Sequence, residues 1–273
     1  MKKLIALIMG AVMCLGLCGC NSNGSDGNSA SGNNTDWNYI KNKGEAIIGI
    51  TYYEPMNYLD ENGELTGFET EFTKAVCEKL GVTPKFQVID WKKKEIELKS
   101  KTIDLIWNGL TVTDERRENM AFSTTYLKNR QVVIIKKDNA EKYTDTKSMA
   151  GASVAFEAGS AGEDAANADD TLKDCKQIGC DAQKDAVLEV KAGTAEIGIV
   201  DYTLARSAVD SDDFSDLMIL ESVQLMDEDY AVGVRLEDTE TLAKINQAID
   251  ELAKDGTLLD LAKKYGVDDI YAL

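Results

Sequence analysis

Residues 103–117, Ile-Asp-Leu-Ile-Trp-Asn-Gly-Leu-Thr-Val-Thr-Asp-Glu-Arg-Arg, decide the fold of this chain. Ile103 to Trp107 is a short apolar run of strand type. Thr113 predicts a helix cap, and Asp114 and Glu115 put acid in the first turn, where the helix dipole favours it. Strand, loop and helix in that order form one unit of an α/β protein. Upstream, Ala46 to Thr51 is another apolar strand. Asp60-Glu61-Asn62-Gly63 reads as a hairpin turn, because Asn-Gly accepts positive φ at both central positions. Phe68, Phe72, Ala75, Val76 and Leu80 recur at helical spacing up to Gly81. Lys85 to Ile89 alternates like a strand, and a charged helix is expected over Lys92 to Lys101.

Downstream the same alternation continues. Tyr126 to Lys136 holds the β-rich run Gln-Val-Val-Ile-Ile. Ser153 to Phe156 reads as a strand, and Gly159-Ser160-Ala161-Gly162 opens a helix behind it. Asp181 is expected to cap a helix ending at Gly193. Glu196 to Val200 is a strand ended by Asp201. Leu242, Ile245, Ile249 and Leu252 form one C-terminal helix face that stops at Gly256, and Leu258, Leu261, Ala262 and Tyr265 form another. Alternation of this kind predicts open parallel sheets covered by helices. There are too many units for one small sheet, so two α/β lobes are expected.

Composition narrows the function. The chain has 273 residues, of which 44% are hydrophobic, enough for real cores. Its formal charge is −18, which repels phosphate backbones and argues against nucleic-acid binding. It contains no histidine, so Ser-His-Asp and Cys-His nucleophiles and His-ligated metals are excluded. The acidic run Asp210-Ser211-Asp212-Asp213 lacks the Gly and distal Glu of an EF-hand and reads as a solvated loop. Lys92-Lys93-Lys94 reads as a solvated helix start. No metal or cofactor is expected.

The N-terminus reads as an address. Lys2 and Lys3 precede an apolar stretch, Leu4 to Leu17, too short to span a bilayer. Leu17-Cys18-Gly19-Cys20 resembles the bacterial lipoprotein signal, which implies cleavage after residue 19 and acylation of Cys20 with diacylglycerol and palmitate. Residues 20–36 then form the lipidated cysteine and a polar, flexible tether. Of the remaining cysteines, Cys175 and Cys180 can either bridge or, with Cys77, stay free. Three thiols without a histidine are a poor zinc set.

Open α/β sheets bind ligands beyond the carboxyl ends of their strands. Those places hold Thr51 to Pro55, Asn108 to Thr111, Glu157 to Ala161, and Asp201. Chemically the set suits a zwitterion. Arg116 can fork a carboxylate, with the Thr111 and Ser160 hydroxyls and the helix N–H groups after Ser160 as further donors. Asp201 and the Gly109 carbonyl can accept from an ammonium. Each residue has a second reading: Arg116 as a solvated helix arginine, Asp201 as a cap for the following helix, Gly159-Ser160 as a plain strand-to-helix turn.

Gly67-Phe68-Glu69-Thr70-Glu71-Phe72 resembles the signature of family 3 extracellular solute-binding proteins, the amino-acid receptors of ABC importers. The resemblance recurs at Asp104 to Arg116, at Ala158-Gly159-Ser160, at Val200-Asp201, at Asp255-Gly256-Thr257 and at Lys263-Lys264-Tyr265-Gly266, covering residues 37–273. It implies a periplasmic-binding-protein-like type II clamp: lobe 1 from residues 37–129 plus 227–273, lobe 2 from 130–226, joined by two crossover strands. By that pattern Arg116, Thr111 and Ser160 hold the ligand α-carboxylate, and Gly109 and Asp201 the α-amino group. Tyr53 and Trp91 sandwich the side chain. Asn108 stands at a contact position, while Tyr52 and Glu54 are candidates for side-chain selectivity.

The loop Thr51 to Met56 is one residue shorter than the common form. It offers no clear acid for a cationic side chain, which counts against a dedicated Lys, Arg or His binder. Ala161 replaces a frequent Thr. The segment from Asp90-Trp91 to Thr111 is most similar to cystine and other polar amino-acid receptors. The implied protein is a monomeric, lipid-anchored, non-enzymatic receptor on the outer face of the membrane, partnered by a permease and its ATPase. The alternatives are a same-fold dehydratase acting on a small carboxylic acid, with Glu54, Glu157 or Asp201 as its acid or base, and a sensor without transport.

Overall fold

The computed structural model describes residues 36–273. The expected signal peptide, Cys20 and nearly all of the tether lie outside the described residues. Asp36, read as the last tether residue, instead opens helix α1 (Asp36–Lys43). Trp37 and Ile40, one turn apart, are buried and anchor it to the core.

Strand β1 (Glu45–Ile50) leads to the hairpin β2 (Tyr58–Leu59) and β3 (Leu65–Thr66). In its turn the Asp60 carboxylate accepts from the backbone N–H groups of Asn62 and Glu64. Helix α2 (Phe68–Leu80) ends on Gly81 in the left-handed region, as its spacing predicts. Then follow β4 (Thr83–Val88), α3 (Lys94–Lys99), β5 (Leu105–Ile106), α4 (Asp114–Arg117) and β6 (Met120–Phe122). The expected charged helix is split: Trp91–Lys93 is a 3-10 turn capped by the Asp90 side chain, and only Lys94–Lys99 is α-helical.

The second half contains β7 (Leu127–Lys136), β8 (Ser153–Glu157), α5 (Ala161–Ala168), β9 (Lys176–Cys180), α6 (Gln183–Ala192), β10 (Ile197–Asp201), α7 (Tyr202–Val209) and β11 (Leu217–Tyr230). Strand β12 (Gly233–Arg235) and helices α8 (Thr239–Lys254) and α9 (Thr257–Lys264) complete the chain. Asp181 does not cap α6. The cap position is Ala182, which has no side chain able to accept, so the expectation shifts by one residue and the cap is lost.

Two five-stranded sheets result, ordered β4-β1-β5-β12-β6 and β11-β7-β10-β8-β9. Each has a parallel part, β4-β1-β5 in the first and β10-β8-β9 in the second. The expectation of open parallel sheets holds for only part of each: β12 runs antiparallel to β5 and β6, and β7 runs antiparallel to β10 and β11. The cause is the connectivity. The chain enters the second sheet along β7 and leaves it along β11, so these paired strands must run in opposite directions. Leu127 faces Tyr230 at the crossing, and the lobe boundaries expected near 129 and 226 fall inside these two strands. The architecture is the two-lobed clamp with two crossovers.

Helix α2 packs against α8 and α9. Phe72, Trp107 and Tyr126 form an aromatic cluster beneath them, Phe72 meeting Trp107 edge-on at 4.8 Å. Trp107 is fully buried, in keeping with its reading as core. Cys77, Cys175 and Cys180 are each buried and unbonded to one another. Burial pushes the Cys77 thiol up to about 12 and the Cys180 thiol to about 11, so neither is reactive. Among the described residues, no helix is long and apolar enough to cross a membrane and no cluster suited to a metal ion occurs.

Candidate functional site

The loop after β5 is held by the core beneath it. The Glu69 carboxylate, at the start of α2, accepts the Gly109 N–H at 2.9 Å with both oxygens, and also the Tyr126 hydroxyl. Gly109 sits at φ +55, and an added Cβ would lie 1.9 Å from the Tyr53 hydroxyl. Glycine is therefore required both by the backbone and by Tyr53 closing over it. Asn108 is buried, but all four of its hydrogen-bonding positions are used. Its Oδ1 accepts from the Thr51 N–H and hydroxyl, and its Nδ2 donates to Thr51 O and Asn57 Oδ1. The expectation of a ligand contact at Asn108 is corrected to a brace joining two loops, since no donor or acceptor is left over.

Arg116 is buried. Thr113 caps α4 and so orients it. Its Nη1 donates to Thr111 O at 2.9 Å and its Nη2 reaches Gly159 O at 3.4 Å across the cleft, with Asp164 Oδ2 at 3.6 Å. The solvated-arginine reading is excluded by that burial. Ser160 caps α5, its Oγ accepting from Gly162 and Glu163, which leaves its hydroxyl proton free to donate. Gly159 takes a positive φ, and a Cβ there would meet Lys92 Cα at 2.9 Å, a measure of how closely the lobes approach.

Asp201 ends β10, buried, and its side chain caps nothing. Its carboxylate accepts from Gln131 and, at 2.7 Å, from Gln183 Nε2. Gln131 also donates to Glu228 Oε1 at 3.1 Å, and Glu228 accepts from Thr111 Oγ1 at 2.7 Å and Asn129 Nδ2 at 2.8 Å. Thr111, Arg116, Gly109 and Tyr53 from the first lobe thus meet Ser160 and Asp201 from the second. Trp91 is buried, its ring under the Lys94 ammonium. Tyr52, 42% exposed, and Glu54, exposed, stand apart from this cluster. With Tyr53 they line an outer cavity of about 380 Å³ bounded by Tyr58, Leu204 and Phe214.

Four participants were not legible. Lys94, read as solvated, is buried, and its Nζ donates to Gly159 O at 2.8 Å. Its place in a run of three lysines hid it. Gln131 stood just before the apolar run Val132 to Ile135 inside β7, a lone amide that the sequence reading passed over. Gln183 and Glu228 carried no signal.

The electrostatics are unusual for so acidic a chain. Burial pushes Glu69 up to about 7 and Glu228 up to about 8, the latter aided by Asp201. Burial also raises Asp201 and lowers Lys94 to about 8, Arg116 adding to the Lys94 shift. Folded Glu69 and Glu228 thus keep protons that the unfolded chain releases near the ordinary value of 4.5. Across that window the folded state binds more protons, so stability falls as pH rises. The melting temperature of the ligand-free protein should drop by several degrees between about pH 5 and about pH 7.5. Glu228→Gln should flatten the slope. A melting temperature that rises over this range would contradict the assignment.

Comparison with known proteins agrees with the two-lobed fold. The profile of the family described as bacterial extracellular solute-binding proteins, family 3, matches residues 46–268. The L-cystine-binding protein TcyJ of Escherichia coli (strain K12) is 28% identical, over 85% of this chain and 86% of its own. The arginine-binding extracellular protein ArtP of Bacillus subtilis (strain 168) is 27% identical, over 97% and 98%. Among solved structures, an ABC uptake transporter substrate-binding protein from Streptococcus pneumoniae with bound histidine superposes with a TM-score of 0.80. It is 33% identical, covering 88% of this chain and 99% of its own.

Proposed function

Because this chain belongs to the bacterial extracellular solute-binding proteins of family 3, we propose that it captures a free amino acid between its lobes and delivers it to the permease of an ATP-driven importer. One observation carries the reading. Arg116 of the first lobe and Asp201 of the second are both buried and near enough for the Arg116 charge to act on the Asp201 carboxyl, a cation and an acid that suit the two ends of a zwitterion. Arg116, with the Thr111 and Ser160 hydroxyls, takes the α-carboxylate. Asp201 and the Gly109 carbonyl take the α-ammonium, and Tyr53 and Trp91 flank the side chain. Contacts from both lobes favour the closed clamp, the form that docks on the permease.

The same reading makes the protein a monomeric receptor rather than an enzyme. Its signal peptide is removed at residue 19 and acylated Cys20 holds it to the outer face of the membrane through the tether. Names and bound molecules among its relatives, cystine, arginine and histidine, fall in the same ligand class.

The test is a thermal-shift screen of protein that has been unfolded and refolded to strip carried ligand, against the twenty amino acids, cystine and ornithine. At 100 times Kd a ligand adds about 2.7 kcal/mol, a shift of several degrees. No response to any amino acid, or turnover of a candidate carboxylic acid, would sink the receptor reading.

A further inference from the structure

Glu157 is the last residue of β8, at the same carboxyl edge of the second sheet as Asp201 on β10. It is 2% exposed, and its Oε1 has no hydrogen-bond partner. The other buried acids of the site are engaged: Asp201 by Gln131 and Gln183, Glu228 by Thr111, Asn129 and Gln131, Glu69 by Gly109 and Tyr126. Lys94 is engaged as well, by the Gly159 carbonyl. Glu157 alone among these groups is buried and unserved, two residues from the Gly159 carbonyl on which Lys94 and Arg116 converge from the other lobe.

A buried carboxylate is costly unless something pairs with it, and a native protein keeps one where it has a use. We infer that Glu157 is the specificity residue of the clamp, supplied by the second lobe to receive a positively charged ligand side chain, an ammonium, guanidinium or imidazolium. The inference rests on the amino-acid reading above and deepens it. It also revises the expectation drawn from the loop Thr51 to Met56, that no acid stands ready for a cationic side chain. That loop belongs to the first lobe, whereas Glu157 approaches from the second.

The groups facing Glu157 explain why it needs a cation from outside. Asp201 on β10 and Asp185 on α6 oppose its charge, and Lys94 on α3 and Arg116 on α4 only partly offset them. Burial and Asp201 hold its carboxyl well above the usual carboxylate range. A cationic side chain arriving there favours the charged form of the carboxyl and forms a charge-assisted pair in a water-poor setting.

Arginine against citrulline is the decisive comparison, since the two share shape and differ in charge. Titration calorimetry on refolded wild-type protein should show arginine, or ornithine or histidine, binding at least roughly tenfold tighter than citrulline and glutamine. E157Q should lose roughly 10- to 100-fold for the cationic ligand and bring its affinity ratio to citrulline towards one. Preference for a neutral or acidic amino acid in the wild type overturns the inference and leaves the receptor reading standing. So does an unchanged ratio in E157Q. Failure to bind any amino acid overturns both. The wild-type comparison stands even if E157Q does not fold.

Discussion

Arg116→Ala lowers amino-acid affinity by roughly two to three orders of magnitude, and Asp201→Asn does the same from the opposite lobe. Each leaves one end of the zwitterion desolvated and unpaired, a loss of about 3–5 kcal/mol for a buried charge pair. The two variants test different groups of the ligand. Arg116→Ala removes the fork for the carboxylate, and its other contacts, Thr111 O and Gly159 O, are carbonyls that water can reach once the lobes part. Asp201→Asn keeps the shape and an oxygen for the Gln183 amide but loses the charge that pairs with an ammonium. Calorimetry with the best ligand from the screen measures both, and thermal unfolding confirms that the variants fold. Affinity retained within about threefold in both would remove the site from this cleft. An effect in Arg116→Ala alone would point to an acid without an α-ammonium as the ligand.

Trp107→Ala destabilises the protein by about 3–5 kcal/mol, the cost of emptying a large buried aromatic site. That corresponds to a fall in melting temperature of roughly 6–20 °C. Trp107 is fully buried, edge-on to Phe72 at 4.8 Å and beside Tyr126 at 6.4 Å. It also sits one residue before Asn108 and two before Gly109, and Tyr126 holds the carboxylate that fixes the Gly109 N–H. The cavity therefore loosens the loop as well as the core, so ligand affinity should fall together with stability. Trp107→Phe refills most of the space and should recover most of both. Scanning calorimetry with binding on the same samples checks this. A loss of stability with binding intact would show that Glu69 and Asn108 position the loop without the aromatic cluster.

The order of strands and helices was written in local pattern. Apolar runs such as Ile103 to Trp107, the helical spacing from Phe68 to Leu80 and the Asn62-Gly63 turn are set by short-range sterics and periodicity, which a sequence states directly. The positions of Gly109, Thr111, Arg116, Ser160 and Asp201 at strand ends or helix starts were legible for the same reason, whereas on spacing alone each kept a second reading and only the family resemblance gathered them into one proposed site. What failed in that reading depended on which groups lose water. Lys94 and Lys93 are adjacent in one basic run, yet Lys94 is buried on the Gly159 carbonyl and Lys93 is exposed, because only one face of a helical turn meets the opposing lobe. Asn108 looked like a ligand contact until Thr51 and Asn57, more than fifty residues away in sequence, were seen to use all its hydrogen bonds. Glu157 and Glu228 are two acids among forty-eight in sequence. The pairing of β11 with β7 and the nearby Thr111 surround Glu228 with amide and hydroxyl donors, while the Glu157 Oε1 is left without any. Local composition specifies the elements and the type of chemistry at their ends. Desolvation, on which charge preference and pKa depend, is set by neighbours that only the tertiary fold brings together.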